Sequence, residues 1–227
     1  MLRVLATAAV LILLTIPLHA NVLLPGGTVS PDVFTNPGGV PLLDSVTGTY
    51  SFGNGPGLIT GTYTEVVLVD PFGITCSGCL DFAFQVTLDP SLESGIFHVN
   101  LAEFFNYSTD VGYIEGTGVM GGSGGDGNPT SVNRGPLGGT VTFLFGGTSV
   151  IGPGGSSAIL VVATNATSYD SAGSLAISGG RGDSLANGQI NDVFEPAAPV
   201  PEPPTGLLLS LGLVGIAAFR FRKVAHI

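Results

Sequence analysis

The sequence predicts an all-β protein: an antiparallel β-sandwich body with an N-terminal signal peptide and a C-terminal transmembrane helix. Short segments of alternating or β-branched apolar residues recur through the middle of the chain, without a long stretch of helical periodicity. Clusters of Gly, Pro, Asn, Asp and Ser separate these segments. Long continuous apolar runs occur at the two ends of the 227-residue chain, which indicates that the ends have a different role from the body.

The N-terminal segment, residues 1–20, has the features of a secretory signal peptide. Arg3 gives it a positive start, and an apolar run follows over residues 4–16. Ala20 is small enough for the binding pocket of signal peptidase, so we expect the mature chain to begin near Asn21. An uncleaved membrane anchor is the alternative.

The body, residues 21–194, contains several predicted strands. The clearest is 80–88, in which apolar residues alternate with Asp81, Ala83, Gln85 and Thr87, as is typical of a half-buried strand. We expect 46–52 to begin the sheet. The other predicted strands are 58–69, 96–101, 141–145, 157–164 and 174–178. Since these strands are rich in apolar residues and no helices separate them, we expect two antiparallel sheets packed face to face.

The body is strongly acidic, which argues against one class of partner. The chain has a formal net charge of −10, and Arg134 and Arg181 are the only basic residues between its two ends. Such a surface repels phosphate backbones, so we expect no nucleic-acid binding. The sequence leaves open whether five aspartate side chains come together to bind calcium. The residues in question are Asp70, Asp81, Asp110, Asp126 and Asp170.

Cys76 and Cys79 form a C-x-x-C motif. A thioredoxin-like site needs the first Cys at the start of a helix in a βαβ unit, whereas this pair precedes the predicted strand 80–88. Zinc would need further ligands, and the chain has no other Cys. We therefore expect a structural disulfide in an oxidising compartment, with free thiols or a redox or metal site as the alternatives.

Three further motifs have a simple structural explanation. Arg181-Gly182-Asp183 matches the integrin-binding tripeptide but falls in a Gly-rich stretch that we expect to be a turn between strands. Residues 121–126 match the start of a calcium β-roll nonapeptide, yet one copy occurs and stacked copies are needed, so we expect a flexible loop. His98 is the sole His of the body, and no Ser–His–Asp arrangement can be assigned around it. We therefore predict no catalytic residues, no metal site and no cofactor.

The C-terminal end divides into a spacer and an apolar segment. Residues 195–204 are Pro-rich, which resists helix formation, and we expect them to hold the body away from the membrane. Residues 205–227 are the predicted transmembrane helix and tail. The apolar run 206–219 would span about 21 Å as a helix, shorter than a hydrocarbon core of about 30 Å. A buried core helix is the alternative. Three basic residues follow the run: Arg220, Arg222 and Lys223.

Residues 200–223 resemble the PEP-CTERM sorting signal, in which a Pro-Glu-Pro motif precedes a short transmembrane helix and an Arg-rich end. In this sequence the motif is formed by Pro201, Glu202 and Pro203. Pro204 stands where the family usually has Ser, Ala or Thr, and Phe221 interrupts the basic cluster. The resemblance implies secretion in a Gram-negative bacterium and processing by exosortase, a membrane protease-transpeptidase. It also implies an exopolysaccharide or biofilm-matrix setting.

These features predict an exported, non-enzymatic protein of the cell surface or extracellular matrix. We expect signal peptidase and exosortase to process it, and exopolysaccharide is a candidate partner. The basic tail would place the body on the periplasmic side of the inner membrane until processing, by the positive-inside rule. The alternative is a secreted carbohydrate- or calcium-binding β-sandwich module with the same routing, although the chain has no Trp to stack on a sugar.

Overall fold

The structure is a computed structural model of the chain. It describes residues 22–35, 42–70, 72–115 and 127–197. The predicted signal peptide and the predicted transmembrane segment lie outside these residues. Within them, no helix is both long enough and apolar enough to cross a membrane.

The described residues form twelve β-strands and two short 3-10 turns, Gly55–Gly57 and Gly147–Ser149. The strands are β1 (Thr28–Val29), β2 (Asp32–Val33), β3 (Leu42–Phe52), β4 (Ile59–Val69), β5 (Leu80–Leu88), β6 (Gly95–Ala102), β7 (Thr109–Ile114), β8 (Ser131–Arg134), β9 (Thr140–Leu144), β10 (Ile159–Thr164), β11 (Tyr169–Arg181) and β12 (Ser184–Pro196). The all-β prediction is therefore confirmed.

The strands build two six-stranded sheets. The sheet with the order β1-β8-β9-β6-β11-β12 is called the front sheet, and the sheet with the order β2-β7-β10-β5-β4-β3 is called the back sheet. The pairings are antiparallel, as predicted, apart from the short parallel pairing of β2 with β7. The long strands β3 and β12 form one edge of each sheet and contact each other.

The main core lies between the two sheets. Phe82 and Phe84 from the back sheet meet Val99, Leu101 and Phe143 from the front sheet, and all five side chains are buried. Because side chains alternate along a strand, these inward residues leave their neighbours on the outer faces. The sandwich interior is thus made by the alternating apolar residues that the sequence predicts, most clearly in β5.

The outer face of the back sheet carries a second apolar cluster, so the prediction that strand 80–88 is half-buried is wrong. Ala83 and Asp81, expected to face solvent, are fully buried. Phe34 and Phe72 pack against this cluster, with ring centroids 4.8 Å apart. β5 pairs with β4 and β10 on its two sides, and such a central position favours burial on both faces. The cluster consists of Val66, Leu68, Ala83, Ile114, Ile159 and Val161.

The last strand corrects the expected start of the Pro-rich spacer. β12 runs to Pro196, so Glu195 and Pro196 belong to the body and not to a spacer beginning at residue 195. Pro196 is tolerated there because β12 is an edge strand, in which a missing N–H leaves no partner unsatisfied. The Ala197 amide donates to the Ser168 carbonyl at 3.1 Å, which extends the body by one more residue.

Candidate functional site

The predicted sorting residues follow the body in sequence. The chain divides into two compact units, Met1–Ala197 and Ala198–Ile227. Pro201, Glu202 and Pro203 and the basic residues Arg220, Arg222 and Lys223 belong to the second unit and lie outside the described residues. The predicted sorting signal therefore begins in the sequence after the last residue of β12, Pro196.

The Cys pair lies at the end of the loop between β4 and β5. The Cα atoms of Cys76 and Cys79 are 5.2 Å apart, within the usual range for a disulfide, and the pair is placed at bonding distance. The Cys79 amide also donates to the Cys76 carbonyl at 3.1 Å. No helix begins at Cys76, so a thioredoxin-like arrangement is not formed here.

Asp70 organises the same loop, which sequence reasoning missed. Its carboxylate accepts from the amides of Ile74, Thr75 and Cys76 at 3.0, 3.1 and 3.2 Å. The Thr75 hydroxyl donates to the Thr164 carbonyl at 2.6 Å, which attaches the loop to the end of β10. Asp residues often bind the amides of a following turn, and that is the signal from which this role could have been predicted.

Three of the five acids considered for calcium lie near one end of the back sheet. Asp81 and Asp110 flank Ala163 of β10 in one row of paired residues, and both are buried. Burial raises the pKa of Asp81 to about 8; the charges of Asp70 and Asp110 add to this, and a hydrogen bond from the Thr164 backbone opposes it. Asp170 lies instead on the front sheet, opposite Glu195.

The described residues offer no ready metal centre. Among them, no group of three or more His, Cys, Asp or Glu side chains is arranged to hold a metal ion. Asp126 and the nonapeptide-like segment 121–126 lie outside the described residues. The calcium alternative therefore gains no geometric support from the acids at the end of the back sheet.

The Arg181-Gly182-Asp183 sequence forms a hairpin turn, which confirms the predicted turn between strands. Arg181 pairs with Ser184, so Gly182 and Asp183 are the two central residues that join β11 to β12. Gly182 has a φ of +57°, and glycine at the first central position is typical of a type II′ hairpin. The Arg181 guanidinium forms an exposed ion pair with Glu93.

His98 lies on the outer face of the front sheet, in a surface that we call the front face. The front face consists of two rows of laterally paired residues that cross β8, β9, β6, β11 and β12, and the side chains of these rows share one side of the sheet. The first row is Ser131, Leu144, His98, Ser178 and Asn187. The second row is Asn133, Thr142, Asn100, Ala176 and Gln189. Neither row contains a carboxylate or an Arg or Lys, so His98 has no acid partner within the front face.

A groove of about 460 Å³ lies at the β11–β12 end of the first row. His98, Ser178 and Asn187 of the front face line it, together with the apolar side chains of Phe97 and Leu185. Leu185 is 71% exposed, which is high for a large apolar residue in a strand. The groove therefore combines hydroxyl, amide and imidazole groups with an apolar wall.

Comparison with known proteins identifies the C-terminal end of the chain. The family model described as the PEP-CTERM protein-sorting motif matches residues 199–223, one residue beyond the segment predicted from the sequence. No curated protein and no solved structure matches the chain. The motif indicates export and sorting close to the membrane, and it is the signal that exosortase processes. The resemblance of the Pro-Glu-Pro motif, the apolar run and the basic end to this signal is thus confirmed: residues 199–223 of the chain carry the PEP-CTERM protein-sorting motif.

Proposed function

We propose that the chain is a non-enzymatic protein of the cell surface or extracellular matrix, released from the inner membrane by exosortase. The observation that carries this proposal is the sorting motif at residues 199–223, at the opposite end of the chain from a segment with the features of a signal peptide. The N-terminal segment would start the export of the chain, and the C-terminal sorting motif would retain the exported chain in the membrane.

The position at which the body ends indicates that the C-terminal sorting signal can be removed without damage to the fold. The last strand ends at Pro196, and the compact unit ends at Ala197. Cleavage near Pro201-Glu202-Pro203 would therefore leave every described strand in place. Because prolines restrict the backbone to extended conformations, the motif should be accessible to a protease at the membrane surface.

Mass spectrometry of the mature protein from its native host tests this proposal at both ends. We expect a chain that begins near Asn21 and ends close to the Pro-Glu-Pro motif. In a host that lacks exosortase, or in Glu202→Ala protein, the C-terminal tail should remain and the protein should stay in the inner membrane. Asp183→Ala, which removes an acid from an exposed turn, is the matched control and should be processed normally. Recovery of an intact C-terminus from the extracellular fraction would overturn the proposal.

A carbohydrate-binding module is the second candidate function. The front face favours it, because its two rows contain no carboxylate, Arg or Lys and are rich in amides and hydroxyls, the groups that hydrogen-bond to sugars. Routing by the sorting signal is the same for both candidates, so the front face alone distinguishes them.

A further inference from the structure

We propose that the front face, together with the groove beside His98, binds a neutral polysaccharide laid across the strands. This proposal rests on the second candidate function and names its site and its ligand class. The ligand would be a polymer with many hydroxyl groups and no ionised groups, and its chain would follow the first row towards the groove.

The chemistry of the rows fits a polymer of hydroxyl groups. Asn133, Asn100 and Gln189 each present an amide with donors and an acceptor, and Thr142 presents a hydroxyl that does both. A sugar hydroxyl likewise donates and accepts, so either orientation of the ligand finds partners. With strands about 4.8 Å apart, the five residues of a row cover about 19 Å, enough for several sugar units.

The charge distribution selects a neutral ligand. The protein has a formal net charge of −10, so its overall field repels an anionic polymer. The same field attracts a cationic polymer to the protein, but neither row contains a carboxylate with which it could pair. An uncharged polymer is neither repelled by the acidic protein nor in need of an ionised partner in the rows, so it is the ligand that the front face favours.

The groove supplies the apolar contact that the rows lack. Sugars bind through C–H faces as well as hydroxyls, and Phe97 and Leu185 line the groove with apolar surface alongside the polar groups of His98, Ser178 and Asn187. Its volume of about 460 Å³ lies within the range of small-molecule sites. Phe97 lies next to a register shift between β6 and β11, at Ser178 and Gly179, and such irregularities often redirect a side chain at a binding site.

A second copy of this chain fits the front face poorly. Within the two rows, Leu144 and Ala176 are the apolar residues, whereas stable interfaces between proteins have an apolar, fully buried centre. Burying the remaining amides and hydroxyls against another protein would cost free energy wherever one of them lost its partner. A hydrated sugar polymer carries its own donors and acceptors and avoids that cost.

The test measures retention of the exported full-length protein, in detergent, on immobilised neutral glucans and on alginate as an anionic polysaccharide. We expect binding to at least one neutral glucan and none to alginate. Gln189→Glu places a charge in the second row with little change in volume, and Leu185→Ser removes the apolar wall. Each should weaken binding at least tenfold. Asn54→Asp, an equal change of charge at the exposed turn between β3 and β4, should leave binding unchanged.

Thermal unfolding shows whether each variant is folded, and midpoints equal to that of the wild type make the binding data comparable. Binding to a neutral glucan that neither Gln189→Glu nor Leu185→Ser affects would overturn the site while leaving the second candidate function intact. Absence of binding to any neutral glucan, or preference for alginate, would overturn both. In either case the mass of the mature C-terminus still decides the proposal about sorting.

Discussion

Glu65 is a carboxyl group inside the sandwich, where it joins the two sheets. It lies on β4 of the back sheet and is fully buried. Its Oε2 atom accepts from the Phe194 amide of β12 in the front sheet, at 2.8 Å. Burial raises the pKa of Glu65 to about 9, against the partial opposing effect of this hydrogen bond, so the folded protein holds a neutral carboxyl at pH 7.

The raised pKa of Glu65 predicts that the free energy of unfolding falls as the pH rises. The unfolded chain loses this proton near its ordinary pKa of 4.5, whereas the folded chain keeps it until about pH 9. At pH values between 4.5 and about 9, unfolding therefore releases a proton. The contribution of Glu65 to the free energy of unfolding is full below pH 4.5, and above that pH it falls by up to about 1.4 kcal/mol per pH unit. Glu65→Gln cannot ionise and should remove this part of the slope, as measured by urea unfolding from pH 5 to pH 8.

The comparison of slopes needs a control, because buried Asp81 and half-buried Glu195, with pKa values raised to about 8 and about 7, add slopes of the same sign. Asp183→Asn changes an exposed carboxyl in the turn between β11 and β12 and should leave the slope of the wild type unchanged. If Glu65→Gln and the wild type lose stability equally between pH 5 and pH 8, then Glu65 is ionised in the folded protein and its assigned role is wrong.

Arg134 is a buried cation that binds backbone carbonyls and not a carboxylate. Its guanidinium donates to the carbonyls of Leu23, Phe104, Tyr107 and Gly138, at 2.8 to 3.0 Å. These carbonyls belong to three separate segments, so a single side chain ties the start of the body to the β6–β7 loop and the β8–β9 turn. The local sequence around Arg134 does not predict this, because three of the four carbonyls belong to residues that are distant along the chain.

We expect Arg134→Lys to destabilise the fold strongly. Lysine has one nitrogen with three donors and cannot reproduce the planar arrangement that reaches four carbonyls, so buried acceptors would lose their partners. The expected loss is about 2–4 kcal/mol in the free energy of unfolding. Arg181→Lys is the matched control, since its ion pair with Glu93 is exposed and worth less than about 1 kcal/mol. Equal stability of the two variants would contradict the role of Arg134.

Among the elements, the loop between β4 and β5 tests whether the disulfide or Asp70 maintains its structure. Replacing both Cys76 and Cys79 by Ala should cost roughly 2 kcal/mol, because the closed loop is short, and the fold should persist. Asp70→Ala should open the loop further, since three amides lose a charged acceptor. Hydrogen exchange at Ile74, Thr75 and Cys76 distinguishes the two variants. Thiol alkylation before and after reduction tests the bond itself.

The reverse pattern of folding and hydrogen exchange would assign the loop to the disulfide. If the double Cys variant fails to fold while Asp70→Ala keeps slow exchange, then the covalent link and not the carboxylate determines the loop. Glu115→Ala, at an exposed carboxylate outside this loop, should leave exchange at residues 74–76 unchanged.

The strands differ in how far their sequences predict them. β5 was predicted with its exact bounds, because Phe82, Phe84 and Val86 alternate without interruption. β12 was missed because its alternation is broken: inward Ala186 is followed by polar residues and by Asp192, which has a φ of +62° beside a register shift. Such an irregularity in an edge strand is determined by pairing with β11, and no local pattern in the sequence reveals it.

At the scale of the whole molecule, the sorting motif was predictable from the sequence and the candidate binding surface was not. Pro201, Glu202 and Pro203 form a contiguous motif, so its recognition needs no tertiary structure. The front face needs the register of five strands that are out of sequence order, β8, β9, β6, β11 and β12. His98 and Ser178, for example, are lateral neighbours although eighty residues separate them. Only the paired sheet shows that the uncharged side chains share one surface.

Two truncated chains test where the body ends and which residues hold the protein in the membrane. A chain that ends at Ala197 keeps all of β12, whereas a chain that ends at Phe194, the body boundary expected from sequence, loses two residues of that strand and Ala197. The shorter chain also loses the hydrogen bond that the Tyr107 hydroxyl donates to the Ala197 carbonyl, and the one that the Ala197 amide donates to Ser168.

We expect the chain ending at Ala197 to be exported, to unfold at the same temperature as the processed protein, and to leave the membrane fraction, because the retained residues contain no part of the matched sorting motif. The chain ending at Phe194 should be exported as well but lose about 1–3 kcal/mol of stability, from two or more hydrogen bonds. Thermal unfolding of both purified proteins and an immunoblot of membrane and soluble fractions are the measurements. Membrane retention of the chain ending at Ala197 would show that the body itself binds the membrane, and equal unfolding temperatures would show that Glu195, Pro196 and Ala197 contribute nothing to the fold.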